Sequence, residues 1–288
     1  MRIQFNILPL LSILLTLNTF AASGKDPIKN PSCLLDLQAY FSDEMNISNS
    51  DIQGDTFVGG NSHLKNFTIN GDLSVVGHVS AKDGTITGHT LVNSADLIKV
   101  GHRSIKHNQS ANLYTRAVKY QDQMFKLSKT LMEMPSNIYP KMDSGTISIT
   151  ADHELSVVSL SAIDLKEAYK LTLKGNGNSF LVINIDNEKL DRAEFFRMTL
   201  ELEGILPKNV IYNFHNAQNL LLGMVGPVER TYGTGIQGTL IAPYASVKFF
   251  MGVIDGGLYA HTLEEGLPTG QVDPVKIESK KMRRLICR

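Results

Sequence analysis

The chain lacks tryptophan, has only two cysteines among 288 residues, and has no excess charge of either sign, with 28 Lys and Arg against 28 Asp and Glu. The missing tryptophan and an aromatic content of only 7% argue against a sugar-binding cleft of stacked rings. The neutral balance argues against nucleic acid or an anionic membrane as the partner, because both attract basic surfaces. An apolar content of 42% indicates a folded globular chain.

Long apolar runs are missing too, except at the N-terminus. Residues 3–20 are mostly Ile, Leu and Phe, follow Met1-Arg2 and end in Ala21-Ala22-Ser23. This three-part pattern predicts a secretory signal peptide over 1–23, with an uncleaved membrane anchor as the alternative. No later stretch approaches the ~20 apolar residues that span a bilayer, so no transmembrane segment is expected after cleavage. We therefore expect an exported protein, located outside the cell, at the cell surface or in the periplasm.

The two cysteines, Cys33 and Cys287, lie at opposite ends of the chain that remains after cleavage. In an oxidising compartment this placement predicts a disulfide that ties the two ends together. Two free buried thiols are the alternative.

Five segments share the form I-x-G followed by a short β run. Three of them are evenly spaced in the first third of the chain, and two near the C-terminus are separated by almost the same interval. The repeat corners are Ile52 and Gly54, Ile69 and Gly71, Ile86 and Gly88, Ile236 and Gly238, and Ile254 and Gly256. An inward apolar residue followed by a glycine that permits positive φ suits the corner of a stacked coil, in which each turn buries its apolar side against the next. The repeats predict a mainly β fold, a parallel β-helix (β-solenoid) with short I-x-G rungs, and an antiparallel hairpin sandwich is the alternative.

Between the two sets, the pattern changes to a helical one. Apolar residues recur at helical spacing from Leu113 to Leu131, and Pro135 ends the segment, which predicts one long flanking α-helix over about 109–134. Strand signals then return from 145 to 213 without the spacing of the repeat, as wider rungs or as a side sheet. We expect one solenoid domain over 33–265 with the helix inserted, and a C-terminal tail over 266–288 bridged back by Cys287.

Several of these segments resemble motifs of the choice-of-anchor A domain of bacterial surface proteins. They are Leu35–Phe41, Ser50–Gly54, Val58–Asn61, Val210–Ala217, Gly238–Val247 and Gly252–Ala260. The resemblance covers about 33–263 and implies a bacterial protein outside the cytoplasm with an adhesive or structural surface role and no catalytic residues. A basic tail with Cys287 follows Leu263 where members of that family have an anchor. More distantly, a short-rung solenoid beside one long helix is similar to bacterial ice-binding proteins.

Candidate reactive residues are few. Five of the eight histidines lie between 63 and 107, without the spacing of a zinc site, so no metal and no cofactor is expected. Asp55 and Asp72 both lie three positions after a repeat isoleucine, and their carboxylates are predicted to bind backbone N–H groups at turns. A calcium site or sugar-cleaving carboxylates are the alternatives for these aspartates.

The leading hypothesis is an exported, non-enzymatic structural or adhesive protein of the cell surface or envelope, with no catalytic residues. Its partner would be an unidentified macromolecule, either a protein or a polysaccharide. One alternative is ice binding, which would use a flat threonine face, and the candidate residues are Thr56, Thr68, Thr85, Thr87 and Thr90. A carbohydrate-active β-helix enzyme is the other alternative.

Overall fold

The structure is a computed structural model that describes residues 31–287, except 188, 196–197, 226–230 and 267. The segment predicted as a signal peptide, 1–23, lies outside the described residues. Helical segments are the 3-10 turns Leu34–Asp36 and Pro207–Asn209 and the helices α1 (Ser110–Glu133), α2 (Ala162–Glu167) and α3 (Lys280–Ile286). Among the residues described, no helix combines the length and the apolar character needed to cross a membrane.

The fold is mainly β, and its largest sheet is a parallel, solenoid-like coil. The strands in chain order are β1 (Ala39–Phe41), β2 (Met45–Ile52), β3 (Thr56–Val58), β4 (Ser62–Ile69), β5 (Leu73–Lys106), β6 (Lys141–Asp143), β7 (Thr146–Thr150), β8 (Leu155–Ser161), β9 (Lys170–Lys174), β10 (Phe180–Asp186), β11 (Ala193–Phe195), β12 (Thr199–Glu203), β13 (Val210–Asn213), β14 (Asn219–Leu222), β15 (Met224–Val225), β16 (Thr231–Tyr232), β17 (Thr234–Gln237), β18 (Thr239–Phe249), β19 (Gly252–Asp255), β20 (Leu258–Glu264) and β21 (Gln271–Asp273). The pairs β6–β7 and β15–β16 are antiparallel.

The repeat isoleucines form a single column inside the coil. Ile52, Ile69 and Ile86 lie opposite one another on adjacent strands, as do Ile236 and Ile254. Val272 joins the two groups, because it pairs with Ile254 on one side and with Ile52 on the other. All six side chains are buried, with at most 1% exposed. The N-terminal rungs therefore stack on the C-terminal ones, and the rungs that meet at this junction are distant in sequence.

Four of the five repeat glycines are needed for a reason other than the predicted one. The positive φ expected at these corners is found at Gly238 (140°), but Gly54, Gly71, Gly88 and Gly256 are not among the positive-φ residues. A Cβ atom at Gly71 would lie 2.5 Å from the carbonyl carbon of Gly54 on the neighbouring rung. Close stacking of backbones, and not a left-handed turn, excludes a side chain at Gly71, Gly88 and Gly256, whereas a Cβ atom at Gly54 would meet the side chain of Gln38.

The left-handed corner of the N-terminal rungs lies elsewhere, at Asn49, Asn66 and Asp83, with φ of 54°, 47° and 55°. These residues recur with the same period as the isoleucines. Asn and Asp tolerate this conformation better than other side chains because they hydrogen-bond locally. The amide of Asn66 donates to Oδ1 of Asn49 at 2.9 Å, so the corner side chains also link one rung to the next.

Residues 145–213 form both of the arrangements expected from the sequence, wider rungs of the coil and a side sheet. Phe180 lies opposite Leu155, Val210 opposite Leu181 and Thr239 opposite Ile211. In each of these pairs the partners are further apart in sequence than in the I-x-G rungs, so these strands belong to wider rungs of the main sheet. Strands β12, β9, β7 and β6 form a separate four-stranded sheet.

The coil also continues past residue 265, where we expected it to end. Strand β21 (Gln271–Asp273) pairs with β19 and with β2. It supplies the inward Val272 that the two sets of rungs share, without an I-x-G signature.

Helix α1 carries the chain from one end of the stack back to the other. On the side that it covers, the strand order is β8-β10-β13-β18-β20-β1-β3-β5. At about 4.8 Å per strand interval this sheet spans ~34 Å, and a 24-residue helix is ~36 Å long. Side chains of α1 and of the outward face of these strands form a second core, distinct from the one inside the coil.

Buried polar groups set the position of α1 on the sheet. The amide of Asn184 donates to the carbonyl of Leu131 at 2.7 Å, and the amide of Asn213 donates to the carbonyl of Ser128 at 2.9 Å. The Ser128 hydroxyl donates to Oδ1 of Asn213 at 2.6 Å. Sliding the helix would leave these buried groups unpaired, which is costly, so the network favours one register.

The predicted disulfide between Cys33 and Cys287 is confirmed, with a Cα–Cα distance of 5.0 Å. The bond joins the start of the described chain to the end of α3. Around it, Arg283 pairs with the carboxylate of Asp36, and Lys276 donates to the Asp36 carbonyl at 2.6 Å. The C-terminal tail is thereby held against the first 3-10 turn.

Candidate binding faces

The coil has three sides, of which α1 covers one. A second side, called here the corner side, consists of the strands that carry the isoleucine column together with the four-stranded sheet. The third, called the lysine side, consists of β11, β14, the later parts of β18 and β20, and residues 45–48, 62–65 and 79–82. A partner would meet the outward side chains of these two sides.

The predicted repeat residues belong to the architecture and not to a binding surface, because the isoleucines point inward and the glycines lie against neighbouring parts of the coil. Outward residues of the corner side flank them in register. One column contains Asp51, Thr68 and Thr85, and another contains Gln53, Asn70 and Thr87.

The threonines proposed for an ice-binding face are divided by the fold. Thr56 and Thr90 are buried, with 1% and 0% exposed. Thr68, Thr85 and Thr87 face outward on adjacent rungs, but Asp51 occupies the next place in the same column as Thr68 and Thr85. The flat threonine array is therefore limited to a small area near one end of the stack.

The repeat aspartates act as turn caps, which confirms the role predicted for them. Oδ1 of Asp55 accepts a hydrogen bond from the backbone N–H of Asp72 at 2.9 Å. Oδ1 of Asp72 accepts in the same way from the N–H of His89 at 2.8 Å. Each carboxylate thus satisfies a backbone donor of the following rung.

The histidines of the N-terminal rungs, among them His63, His78 and His89, are spread over strands β4 and β5 and over different columns. His78 contacts Ser94 at 2.9 Å and Asp96 at 3.4 Å, and His89 contacts Ser104 at 2.6 Å. Within the described ranges, no group of three or more His, Cys, Asp or Glu side chains is placed to hold a metal ion.

Acidic side chains crowd the corner side where the two sets of rungs meet. Burial raises the pKa of the Asp273 carboxyl, and the nearby carboxylates of Asp255 and Asp51 raise it further. Asp255 and Asp273 lie directly opposite each other on paired strands. Like charges in that position destabilise a sheet.

Replacing Asp273 by asparagine is expected to stabilise the protein at neutral pH. A carboxyl whose pKa is raised by folding contributes stability below its unfolded pKa of about 4, and this contribution is lost as the pH rises through the folded value. Because the group is partly exposed, screening limits the gain to a few tenths of a kcal/mol, or roughly 1–2 °C in Tm at pH 7. Calorimetry should show the gain at pH 7, little difference near pH 3, and a smaller gain in 1 M salt. A lower Tm for Asp273→Asn at pH 7 would contradict this account.

A shallow groove opens on the lysine side between β2, β4 and β5. Its polar lining consists of Asn46, His63, Lys65, Ser80, Lys82 and Glu265. Asn46, His63 and Ser80 lie opposite one another on successive strands. Two positions further along each strand, Ser48, Lys65 and Lys82 form a second such column.

Sequence reasoning missed this groove, although its signal was present. Lys65 and Lys82 are separated by one full period of the N-terminal repeat. In a stacked coil this spacing places both side chains on the same outward column. The net charge of zero for the whole chain gives no indication of the local excess of positive charge at Lys65 and Lys82.

Comparison with known proteins identifies a family. A family profile described as "Putative Ice-binding-like adhesive domain" matches residues 36–272. No curated protein matches the sequence. The profile is not that of the choice-of-anchor A domain, whose motifs the sequence resembles.

Three solved structures of ice-binding proteins are similar to the chain. The protein from the Antarctic ascomycete Antarctomyces psychrotrophicus is 16% identical with a TM-score of 0.43, and the match covers 84% of this chain and 96% of the other. The protein from an Antarctic bacterium, Flavobacteriaceae, is 13% identical with a TM-score of 0.36, covering 81% and 74%. The protein from an Antarctic biological consortium is 15% identical with a TM-score of 0.43, covering 93% and 94%.

Proposed function

The chain belongs to the ice-binding-like adhesive domain family, and from this membership we propose that it is an exported, non-enzymatic adhesive domain of the cell surface or envelope. Its partner is a macromolecule, either a protein or a polysaccharide, that docks on an outward side of the coil. The observation that carries the proposal is the family match over 36–272, which runs from before the first strand of the coil to Val272 in the last one.

The physical properties of the coil support an adhesive role. Backbone hydrogen bonds between parallel strands run the length of the stack, α1 braces one side, and a disulfide ties the ends of the described chain together. Disulfides persist outside the reducing cytoplasm, which supports an extracellular or surface location. A stiff scaffold loses little conformational entropy when it binds, and this favours affinity.

The proposal has three more specific parts: a signal peptide, membership of the choice-of-anchor A group, and a non-enzymatic role. The N-terminal pattern at 1–23 supports export through a signal peptide, and the motif resemblance supports the choice-of-anchor A group of bacterial surface proteins. The use of the Asp55 and Asp72 carboxylates as acceptors for backbone N–H groups supports a non-enzymatic role over sugar cleavage. If the carbohydrate-active alternative were right, Asp55→Asn with Asp72→Asn would abolish a sugar-cleaving activity of the wild-type protein.

Adhesion is tested with the processed full chain coupled to beads through a C-terminal tag. We expect saturable retention on at least one member of a panel of purified polysaccharides, envelope fractions and matrix proteins. Beads that carry serum albumin provide the control for nonspecific retention. Retention no greater than that of the control across the whole panel would contradict the proposal.

Ice binding is the second candidate, favoured by the outward threonines Thr68, Thr85 and Thr87 on adjacent rungs. A protein that binds ice through them would show thermal hysteresis that is lost in Thr85→Lys with Thr87→Lys. The matched control is Thr199→Lys, an exposed threonine on the separate four-stranded sheet. Absence of hysteresis in the wild-type protein would exclude this candidate.

A further inference from the structure

We infer that the groove around Lys65 and Lys82 binds the anionic groups of an acidic polysaccharide. This inference rests on the proposed adhesive function and specifies the class of ligand and the side of the coil that binds it. It depends on the arrangement of charge across the strands, on the polar lining of the groove and on the neutral charge of the chain as a whole.

Lys65 and Lys82 lie directly opposite each other on β4 and β5, and both side chains are exposed. Neighbouring strands are about 4.8 Å apart, so the two ammonium groups share one stretch of surface. Like charges opposite each other destabilise a sheet. The pair therefore has an unfavourable interaction that a bound anion would relieve.

Three other lysines on the strands of this protein have a glutamate on the adjacent strand as an ion-pair partner. Lys170 pairs with Glu201 at 2.8 Å, Lys174 with Glu203 at 2.8 Å and Lys248 with Glu264 at 3.0 Å. Among the ion pairs of the described residues, none includes Lys65 or Lys82. Within the described part of the chain, Lys65 and Lys82 therefore lack the glutamate partner that Lys170, Lys174 and Lys248 have, and each has the other as its cross-strand neighbour.

The remaining lining of the groove fits a carbohydrate. Asn46, His63 and Ser80 supply an amide, an imidazole and a hydroxyl in one column beside the lysines. These groups donate and accept hydrogen bonds, as recognition of sugar hydroxyls requires. Recognition would rely on charge and hydrogen bonds, in keeping with the absence of tryptophan from the sequence.

Nucleic acid fits the same groove less well. Proteins that bind nucleic acid present a broad basic surface to many phosphates, and their affinity depends on releasing many counterions. Here the total charge is zero, and Glu265 lines the groove beside the two lysines. A narrow positive groove of this kind suits widely spaced single charges, such as the carboxylates of a uronic acid polymer.

The test compares three polymers: polygalacturonate, which carries carboxylates, dextran sulfate, which carries sulfates, and neutral dextran. The variant is Lys65→Gln with Lys82→Gln in the processed full chain. The matched control, Lys170→Gln with Lys174→Gln, removes the same charge from lysines that have glutamate partners. Binding is measured by biolayer interferometry at low and at roughly physiological salt concentration, and folding is checked by thermal unfolding.

We expect the wild-type protein to bind an anionic polymer but not dextran, and to bind more weakly at the higher salt concentration. Affinity should fall at least 10-fold in the groove variant and less than twofold in the control. The groove variant should also keep or raise its Tm, because it loses a repulsion, whereas the control should lower it. Which anionic polymer binds more tightly distinguishes a carboxylate from a sulfate ligand, and either result supports the inference.

Equal losses of affinity for the anionic polymer in the two variants would overturn the inference, since they would indicate a general charge effect. Binding of dextran, or of no polymer, would overturn it as well. The bead assay separates this failure from failure of the proposed function. If the wild-type protein and the groove variant are retained equally on the panel, the adhesive function is supported and the inference about the groove is wrong. If neither protein is retained, the adhesive function itself is wrong.

Discussion

Gly256→Ala is expected to destabilise the protein by about 3 kcal/mol or more, or to prevent folding, because the new methyl group has no room. A Cβ atom at this position would lie 2.1 Å from the carbonyl oxygen of Gly238 and 2.3 Å from its carbonyl carbon. Both are backbone atoms of the adjacent rung, so a change of rotamer cannot relieve the contact. The two rungs would have to separate, which would break the ladder that holds Ile236 and Ile254 opposite each other.

Gly235→Ala is the matched control, since Gly235 lies on the neighbouring strand and a Cβ atom there meets nothing within 4 Å. This variant should stay within about 1 kcal/mol of wild type, and it could be slightly more stable because alanine restricts the unfolded chain. Urea unfolding followed by circular dichroism measures both. Equal stability of Gly256→Ala and Gly235→Ala would show that the rungs are less tightly stacked than the structure indicates.

Removal of the disulfide, by Cys33→Ser together with Cys287→Ser, is expected to lower stability by about 2–4 kcal/mol. The bond closes a loop with a sequence separation of 254 residues, and a long loop has much entropy to lose when its ends are joined. For a domain of this size the loss corresponds to roughly 6–12 °C in Tm. The coil should still fold, because its backbone ladders do not pass through the disulfide.

A reducing agent provides the control for the disulfide. It should lower the Tm of the wild-type protein toward that of the double serine variant and leave the variant unchanged. Near-ultraviolet circular dichroism should show that tertiary packing persists in the reduced protein at room temperature. An unchanged Tm after confirmed reduction would mean that Arg283, Lys276 and the packing of α3 hold the tail without the bond.

The parts of the fold that could be predicted are those whose sequence signals lie within a short segment of the chain. The spacing of the isoleucines placed five of the six members of the inner column, since a repeated period in a stacked coil specifies which residues meet. Val272 was missed because it follows Thr269 and Gly270 and precedes Pro274, without the repeat motif. The column could be completed only by strand pairing between segments far apart in sequence.

The role of the repeat glycines shows a different limit. Their recurrence indicated a constraint, but two constraints have the same signature, a positive φ and a close approach of another backbone. Only the folded structure distinguishes them, because the atoms that exclude a Cβ at Gly71 belong to another rung. In the N-terminal rungs the positive φ angles belong to Asn49, Asn66 and Asp83, whose regular spacing was also present in the sequence.

Local features followed from the order of the amino acids: the period of the rungs, the strand segments, a helix between the two repeat sets and the cysteines that were available to pair. The rungs, the strands and the helix arise from preferences that recur at a short, fixed spacing, and the choice of cysteine partners follows because the chain has only two. Three-dimensional packing was needed to establish that the N-terminal rungs stack on the C-terminal ones, that α1 spans the whole stack, and that Lys65 and Lys82 lie opposite each other on paired strands. These arrangements depend on which distant segments become neighbours, and no local preference of the chain specifies that.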